Sequence, residues 1–238
     1  FSTMLADDLA LPLKAADLSS IRAMLSADLG SAAMSNDYRK IFIERTKIFQ
    51  HHFAHAFIGD PDFTHGDNAF EVLRGVNFVA AHGDRVRDNR DKLSPNVVDN
   101  VDRGLNHSLA DVAEAHLQQT NIARRWLDLF KEIDVVICPA TSTTPFNHDQ
   151  WAITEIDGKK METYMRWLAI TYLPTMALAC GVVIPCGVDH MGMPFGIQIL
   201  SAPGNDRLVI ETAKALEIVL QANGSTKRPV VDIDNLTS

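Results

Sequence analysis

Short apolar runs bounded by chain breakers punctuate this sequence and mark its strands. Residues 182–184 form one run, closed by Pro185 and Gly187, and 195–200 form another after Gly192 and Pro194. Together they predict paired or neighbouring strands around a Gly/Pro turn. The first run is apolar without alternation, the pattern of a strand buried on both faces in the middle of an α/β sheet. In the second, Phe195, Ile197 and Ile199 share one face, while Gly196, Gln198 and Leu200 share the other. Residues 134–138, ended by Pro139, predict a further buried strand, and 20–25 a strand leading to a turn at Gly30.

Longer stretches carry apolar residues three and four apart and predict helices. From an N-cap at Asn36, the residues Tyr38, Ile41, Phe42, Ile48, Phe49, Phe53 and Phe57 trace one stripe. A loop over 59–67 follows, then a helix capped by Asp67 or Asn68 with Leu73, Val76 and Ala80 on one face. Residues 84–96, charged and broken by Pro95, read as a solvated connection. Ser108 with Asp111 three residues on is a capping-box variant opening the longest helix. Val112, Ala115, Ile122, Trp126, Leu129 and Ile133 hold its buried side, with Arg124 and Arg125 opposite in solvent. An apolar-rich helix over 161–172 and a closing helix from Asp206, bearing Val209, Ala213, Leu216 and Leu220, complete the pattern. The closing helix stops near Asn223 and Gly224. Helices that feed apolar strands define an α/β protein, part of a mixed sheet with covering helices.

Composition narrows the picture. With 238 residues, 46 % of them hydrophobic, the chain buries a sizeable core as one compact unit. A net charge of −8 argues against nucleic acid and anionic membrane as partners, since both call for basic patches. The three cysteines, Cys138, Cys180 and Cys186, are few, odd in number and set in apolar runs, which fits a reduced, cytoplasmic protein. No apolar run approaches membrane-spanning length, and 1–20 lacks the pattern of a signal peptide.

Candidate chemistry is sparse. His51 and His55, one turn apart on the expected helix, lack the Glu, Cys or Asp neighbours of a metal site, so a surface role is favoured and no cofactor is expected. The loop over 140–151, leaving a buried strand, lies where α/β proteins place ligands. Its hydroxyls, Phe146 and Trp151 either line a pocket or form an ordered connection. Gln198, an amide between Ile197 and Ile199, must find a partner, since burying it unpaired costs about 1–3 kcal/mol. A bond to the backbone of a neighbouring loop is favoured over ligand contact.

The string P-C-G, then D-x-x-G-M-P-F-G-I-Q, then Asp206 opening a helix, resembles the C-terminal hallmark of the amidase signature hydrolases. The resemblance continues upstream through D-V-V-I-C-P-A over 134–140, Pro145-Phe146, Ile156-Asp157-Gly158 and Tyr164-Met165-Arg166-Trp167, and reaches Leu29-Gly30. One departure is Leu178-Ala179-Cys180, where the family has Gly-x-Pro. The resemblance implies the fold of the C-terminal half of that family and a parent amidase that hydrolyses a carboxamide through a serine, a cis-serine and a lysine. The family's Gly/Ser-rich segment and lysine are not in this chain, so 1–238 reads as a C-terminal portion, with a leading linker over 1–19 and a tail over 225–238. No catalytic residue is assigned here, and alone the chain is expected to be inactive. Thr141, Phe146, Trp151, Thr175, Met176 and Gln198 are the implied substrate-pocket residues. The implied partners are a small-molecule amide, an N-terminal catalytic half and a second copy in a homo-oligomer. Two alternatives stand beside this. One is the glutaminase (A) subunit of a tRNA-dependent amidotransferase, although 166–170 lacks the acidic residue that such a glutaminase uses. The other is a non-catalytic small-molecule-binding protein.

Overall fold

A computed structural model describes residues 12–230. The expectations for 1–11 and 231–238 lie outside the described residues. In chain order the elements are β1 (Arg22–Leu25), α1 (Asn36–Phe49), β2 (His55–Ile58), α2 (Gly66–Asn89), α3 (Pro95–Leu105), α4 (Leu109–Leu129), β3 (Val135–Pro139), the small hairpin β4 (Glu155–Ile156) and β5 (Lys159–Lys160), α5 (Ala169–Met176), β6 (Cys180–Val188), β7 (Pro194–Ser201) and α6 (Asp206–Gln221). Five strands form one sheet in the order β2-β1-β3-β7-β6. Strands β2, β1 and β3 run parallel, β7 pairs antiparallel with β3, and β6 pairs antiparallel with β7, so the sheet is mixed as expected.

The apolar run at β3 is buried at every position, so both faces of the sheet are covered there. Helix α6 packs on β6 and β7 and touches α1, while α2 packs on α3, α4 and α5. The capping box opening α4 is complete: the Ser108 hydroxyl accepts from the Asp111 N–H, and the Asp111 carboxylate accepts from the Ser108 N–H. Ala115, Ile122 and Trp126 are its buried stripe, and Val209, Ala213, Leu216 and Leu220 that of α6. Residues 12–17 run along α6, where the Ala16 N–H donates to the Glu211 carbonyl.

Strands β6 and β7 form the expected hairpin, but β6 is the sheet's edge rather than its middle. Among the described residues only one flank of β6 is paired, and Val183 is 59 % exposed while Ile184 is buried. An unbroken apolar run therefore did not mean two covered faces. The first helix begins after Ser35, whose hydroxyl accepts from the Tyr38 N–H, so Ser35 and not Asn36 is the cap. It ends at Phe49, and a 3-10 turn delivers Phe57 to strand β2. The helical spacing of Phe53 and Phe57 was thus coincidental, and His51 and His55 are not one turn apart on a helix.

The largest departure is the charged stretch 84–96. Helix α2 runs through it to Asn89, is longer than α4, and turns back as α3 from Pro95. What holds this helical pair is a bare-backbone approach: a Cβ on Gly104 would lie 2.3 Å from the Gly75 carbonyl oxygen. Glycine carries no hydrophobic signal, so the pattern of apolar residues missed it. The start of α2 is at Gly66, ahead of the expected caps at Asp67 and Asn68, and its buried positions include Ala69, Val72, Gly75 and Val86, with Ala80 exposed. Arg125 is not free in solvent, because its guanidinium donates to the carbonyls of Asp62 and Thr64. Residues 161–165 are not helical either; a 3-10 turn at 166–168 precedes the short α5.

Candidate functional site

The parallel strands β1 and β3 end side by side, and the segments that leave them build a polar rim. At the end of β1, the buried Ser26 hydroxyl donates to the Asp60 carboxylate at 2.6 Å and accepts from the Leu29 N–H at 2.8 Å. Leu29 itself is fully buried with φ 55, and Gly30 follows with φ 78. Two successive residues in the left-handed region turn the chain sharply above the strand, a conformation an L side chain adopts only when its surroundings hold it. Asp28 then pairs with Arg39 of α1.

A second polar knot ties this turn to α2 and α5. The Arg166 guanidinium contacts Asp67 at 2.6 Å and donates to the Ser31 carbonyl at 3.2 Å. The Tyr172 hydroxyl donates to the same Asp67 oxygen at 2.6 Å, and its ring stacks on Phe70 with centroids 3.9 Å apart. Burial, reinforced by the hydrogen bond and charge of Asp67, pushes the Tyr172 hydroxyl well above the usual phenol range. This tyrosine is therefore a neutral donor at physiological pH.

The loop leaving β3 is stitched to the rim by backbone. The Ser35 N–H donates to the Ser142 carbonyl at 2.9 Å, and the buried Ser142 hydroxyl donates to the Trp167 carbonyl at 2.6 Å. Beyond it the β4–β5 hairpin turns on Asp157 and Gly158, at φ 49 and φ 79, which matches the two-residue hairpin chemistry of Asp-Gly. The Asp157 carboxylate accepts from the Asn36 N–H at 2.7 Å at the start of α1. Between hairpin and rim lies a cleft of about 430 Å³ whose polar lining includes Asp28, Asn36, Arg39, Asp157 and Lys159.

The expected pocket residues do not converge on one cavity. Thr175 and Met176 line a separate cleft of about 360 Å³ between α2, α4 and α5. Phe146 packs edge-on against Trp167 at 5.5 Å, Thr141 is half-buried at the start of the same loop, and Trp151 is 60 % exposed. Gln198 is interior, and its amide nitrogen donates to the carbonyls of Pro139 at 3.0 Å and Ile170 at 2.8 Å. That is the backbone bonding favoured from sequence. Sequence reasoning did not single out Ser26, Asp60, Asp67, Arg166 or Tyr172 as a cluster. The one available signal was position: Ser26 and Asp60 closely follow strand ends.

The turn between β6 and β7 has a physical basis of its own. Asp189 is buried, its Oδ1 accepts from the N–H groups of Met191 and Met193 at 2.8 and 2.9 Å, and its Oδ2 accepts from the Tyr38 hydroxyl at 3.1 Å. Burial works to raise this carboxyl, but its neighbours Thr144, Met193, Met191 and Tyr38 outweigh burial and hold it below the usual carboxylate range. Gly192 supplies the φ of 78 that the turn needs. Thus D-x-x-G-M-P encodes a turn built around one carboxylate.

The rim holds no assembled nucleophile. Among the described residues no serine hydroxyl is hydrogen-bonded to a lysine or histidine, and Ser26 and Ser142 spend theirs on Asp60 and a carbonyl. Burial raises the thiols: Cys138 far up, Cys186 to about 12 and Cys180 to about 11, so none supplies a thiolate. Among the described residues no group of three or more His, Cys, Asp or Glu side chains is placed to hold a metal ion. Nor is any helix of the described residues long and apolar enough to cross a membrane.

Comparison with known proteins places this geometry. The A subunit of the glutamyl-tRNA(Gln) amidotransferase of Acidobacterium capsulatum is 31 % identical over 98 residues, 40 % of this chain and 19 % of that protein. The fatty acid amide hydrolase of Medicago truncatula is 27 % identical over 130 residues, 53 % of this chain and 20 % of that one. Among solved structures, a bacterial aryl acylamidase of the amidase signature family matches with a TM-score of 0.75 at 17 % identity, over 86 % of this chain and 44 % of its own. A 6-aminohexanoate cyclic dimer hydrolase solved with its substrate matches with a TM-score of 0.67 at 16 % identity, over 90 % of this chain and 47 % of its own. The chain therefore spans about half the length of these solved enzymes and matches about a fifth of the curated relatives. The profile of the Amidase family matches residues 84–210, more than half of the sequence, and with this fold around it the chain belongs to the amidase signature family.

Proposed function

We propose that residues 1–238 form the substrate-shaping portion of an enzyme that hydrolyses a linear carboxamide, with the nucleophilic serine, the bridging serine and the lysine contributed from outside this chain. The observation that carries this reading is the pairing of an amidase profile over 84–210 with a rim whose buried serines Ser26 and Ser142 already spend their hydroxyls on structural bonds. Acyl transfer needs a nucleophile within hydrogen-bond reach of its base, and the described residues offer none. The chain's own share is positioning, which lowers a barrier by holding the reacting groups in line. Thr141, Phe146, Trp151, Thr175, Met176 and Gln198 remain the proposed contributors, Gln198 by holding β3 and α5 in place and not by touching substrate. The proposed setting is the cytoplasm, with the amide substrate, the catalytic half and a second copy of the chain as partners.

Folded, purified residues 1–238 are expected to show no turnover of aryl or alkyl amides above buffer. Turnover that persists after contaminating hydrolases are removed overturns the reading. The glutaminase of a tRNA-dependent amidotransferase is a second reading, favoured by the identity to the A. capsulatum protein. Against it stands Arg166, a cation engaged with Asp67 in the region where that reading calls for an acid. Sequencing the gene region upstream separates both from a non-catalytic binding protein, since only an enzyme encodes the serine and lysine segments.

A further inference from the structure

The cleft between α2, α4 and α5 has a chemistry that amidase membership does not account for. Arg74 stands in it with its guanidinium carbon 4.5 Å from the centroid of the Phe78 ring. Its Nε–H donates to the Asn100 side-chain oxygen at 3.0 Å and its Nη2 to the Tyr164 hydroxyl at 2.7 Å. A guanidinium carries five N–H donors, so these two bonds leave three without an acceptor among the described residues. Arg74 takes part in no ion pair among the described residues, although acidic residues outnumber basic ones 30 to 22 in the chain. The anchors are themselves fixed: Asn100 is buried and donates to the Asn96 carbonyl at 2.6 Å and to the Tyr164 hydroxyl at 2.8 Å. The arginine is thus held from two sides while its remaining donors and its charge are left over.

We propose that this cleft binds a small organic monocarboxylate with an apolar body, Arg74 being its anion partner. A carboxylate matches the planar fork of a guanidinium, and charge-assisted bonds of this kind are about twice as strong as neutral ones. One unpaired guanidinium suits a single negative charge better than a phosphate dianion. Phe70, Phe78 and Met176 provide the apolar wall, Gln119 a further polar group, and a volume of about 360 Å³ holds a small aromatic or branched acid. Hydrolysis of an amide releases an acid of this class, so the ligand's origin rests on the proposed function, whereas its binding does not.

The test is a titration of folded residues 1–238 at low salt, followed by NMR, with benzoate as the anionic probe and benzamide as its neutral isostere. Saturable shifts at Arg74 and Gln119 with benzoate, and at least tenfold weaker binding of benzamide, are expected. Arg74→Met is expected to weaken benzoate binding tenfold or more. Since that change also disturbs Asn100 and Tyr164, Gln119→Glu gives an independent check. It places a like charge in the cleft without touching the arginine's anchors, and is expected to weaken benzoate severalfold with an unchanged unfolding midpoint. Equal affinity for the two probes, no saturation with benzoate, or benzoate binding indifferent to Gln119→Glu overturns the proposal. Amide turnover is a separate readout, so failure of the hydrolase reading leaves this measurement interpretable.

Discussion

Gln198 lies within β7 between the fully buried Ile197 and Ile199, and its amide nitrogen is shared between carbonyls of β3 and α5. Replacing it with leucine keeps the bulk and strands both carbonyls, so Gln198→Leu is expected to lower stability by about 1–3 kcal/mol. A denaturant titration reads this as a lower midpoint at unchanged slope. Asp189 offers a pH-resolved counterpart. Its folded-state carboxyl is held below the unfolded value, so its stabilising contribution is complete above the unfolded pKa near 4. That contribution is lost as pH falls through the folded value. Asp189→Asn is therefore expected to lower stability at neutral pH and to flatten the acid limb below about pH 4, measured as unfolding midpoint against pH. Gln198 was legible from sequence because an amide among isoleucines is conspicuous. Asp67, Arg166 and Tyr172 were not, because no local rule joins an aspartate at a helix start to an arginine in a turn so far along the chain.

Helices α2 and α3 illustrate what hydrophobic periodicity leaves out. Their contact is made by Gly75 and Gly104, whose missing side chains let the backbones touch, and the segment joining them is charged. Gly104→Ala would force a methyl against the Gly75 carbonyl and is expected to cost about 1–3 kcal/mol. Gly83, in the same α2, has open space around it: a methyl placed there meets only Val79, at 3.8 Å. Gly83→Ala is therefore expected to stabilise by up to about 1 kcal/mol through lost unfolded-state entropy and better helix propensity. Opposite signs for one substitution, read by thermal unfolding, check the packing directly. Elements whose cores are side-chain stripes, such as α4, β3, β7 and α6, were all readable from the sequence. Those fixed by backbone approach or by context, namely α3, the end of α1 and the start of α5, were not.

Across the molecule, the sheet of the described residues ends on two edge strands, β2 and β6. Ile58 on one edge and Val183 on the other are 79 % and 59 % exposed, and Leu178 just before β6 is exposed as well. Apolar edges of this kind drive association. Residues 1–238 are expected to elute as dimers or larger species, or to bind an apolar dye; a monomeric, dye-silent protein would count against the edges as interfaces. The class of fold was legible because buried strands such as β3 announce covered faces. The order of strands was not, because an edge strand and a central one share the same apolar composition until their neighbours are known.

The placement of β1 against β3 carries a kinetic consequence. Arg22 and Asp134 meet at 2.9 Å although 112 residues separate them, whereas β6 and β7 are joined by the Asp189 turn. Closing the long loop must precede any reward from its contacts, and such non-local pairing slows folding. The hairpin is thus expected to gain protection first during refolding, and the central parallel pair last. Pulsed hydrogen exchange reports the order through the amides of Ser26 and Asp134, which donate to the carbonyls of Ile137 and Arg22 across that junction. Until those two amides are protected, the hydrophobic strand β3 has a ready partner on one side only, and that interval is when the chain is most exposed to aggregation.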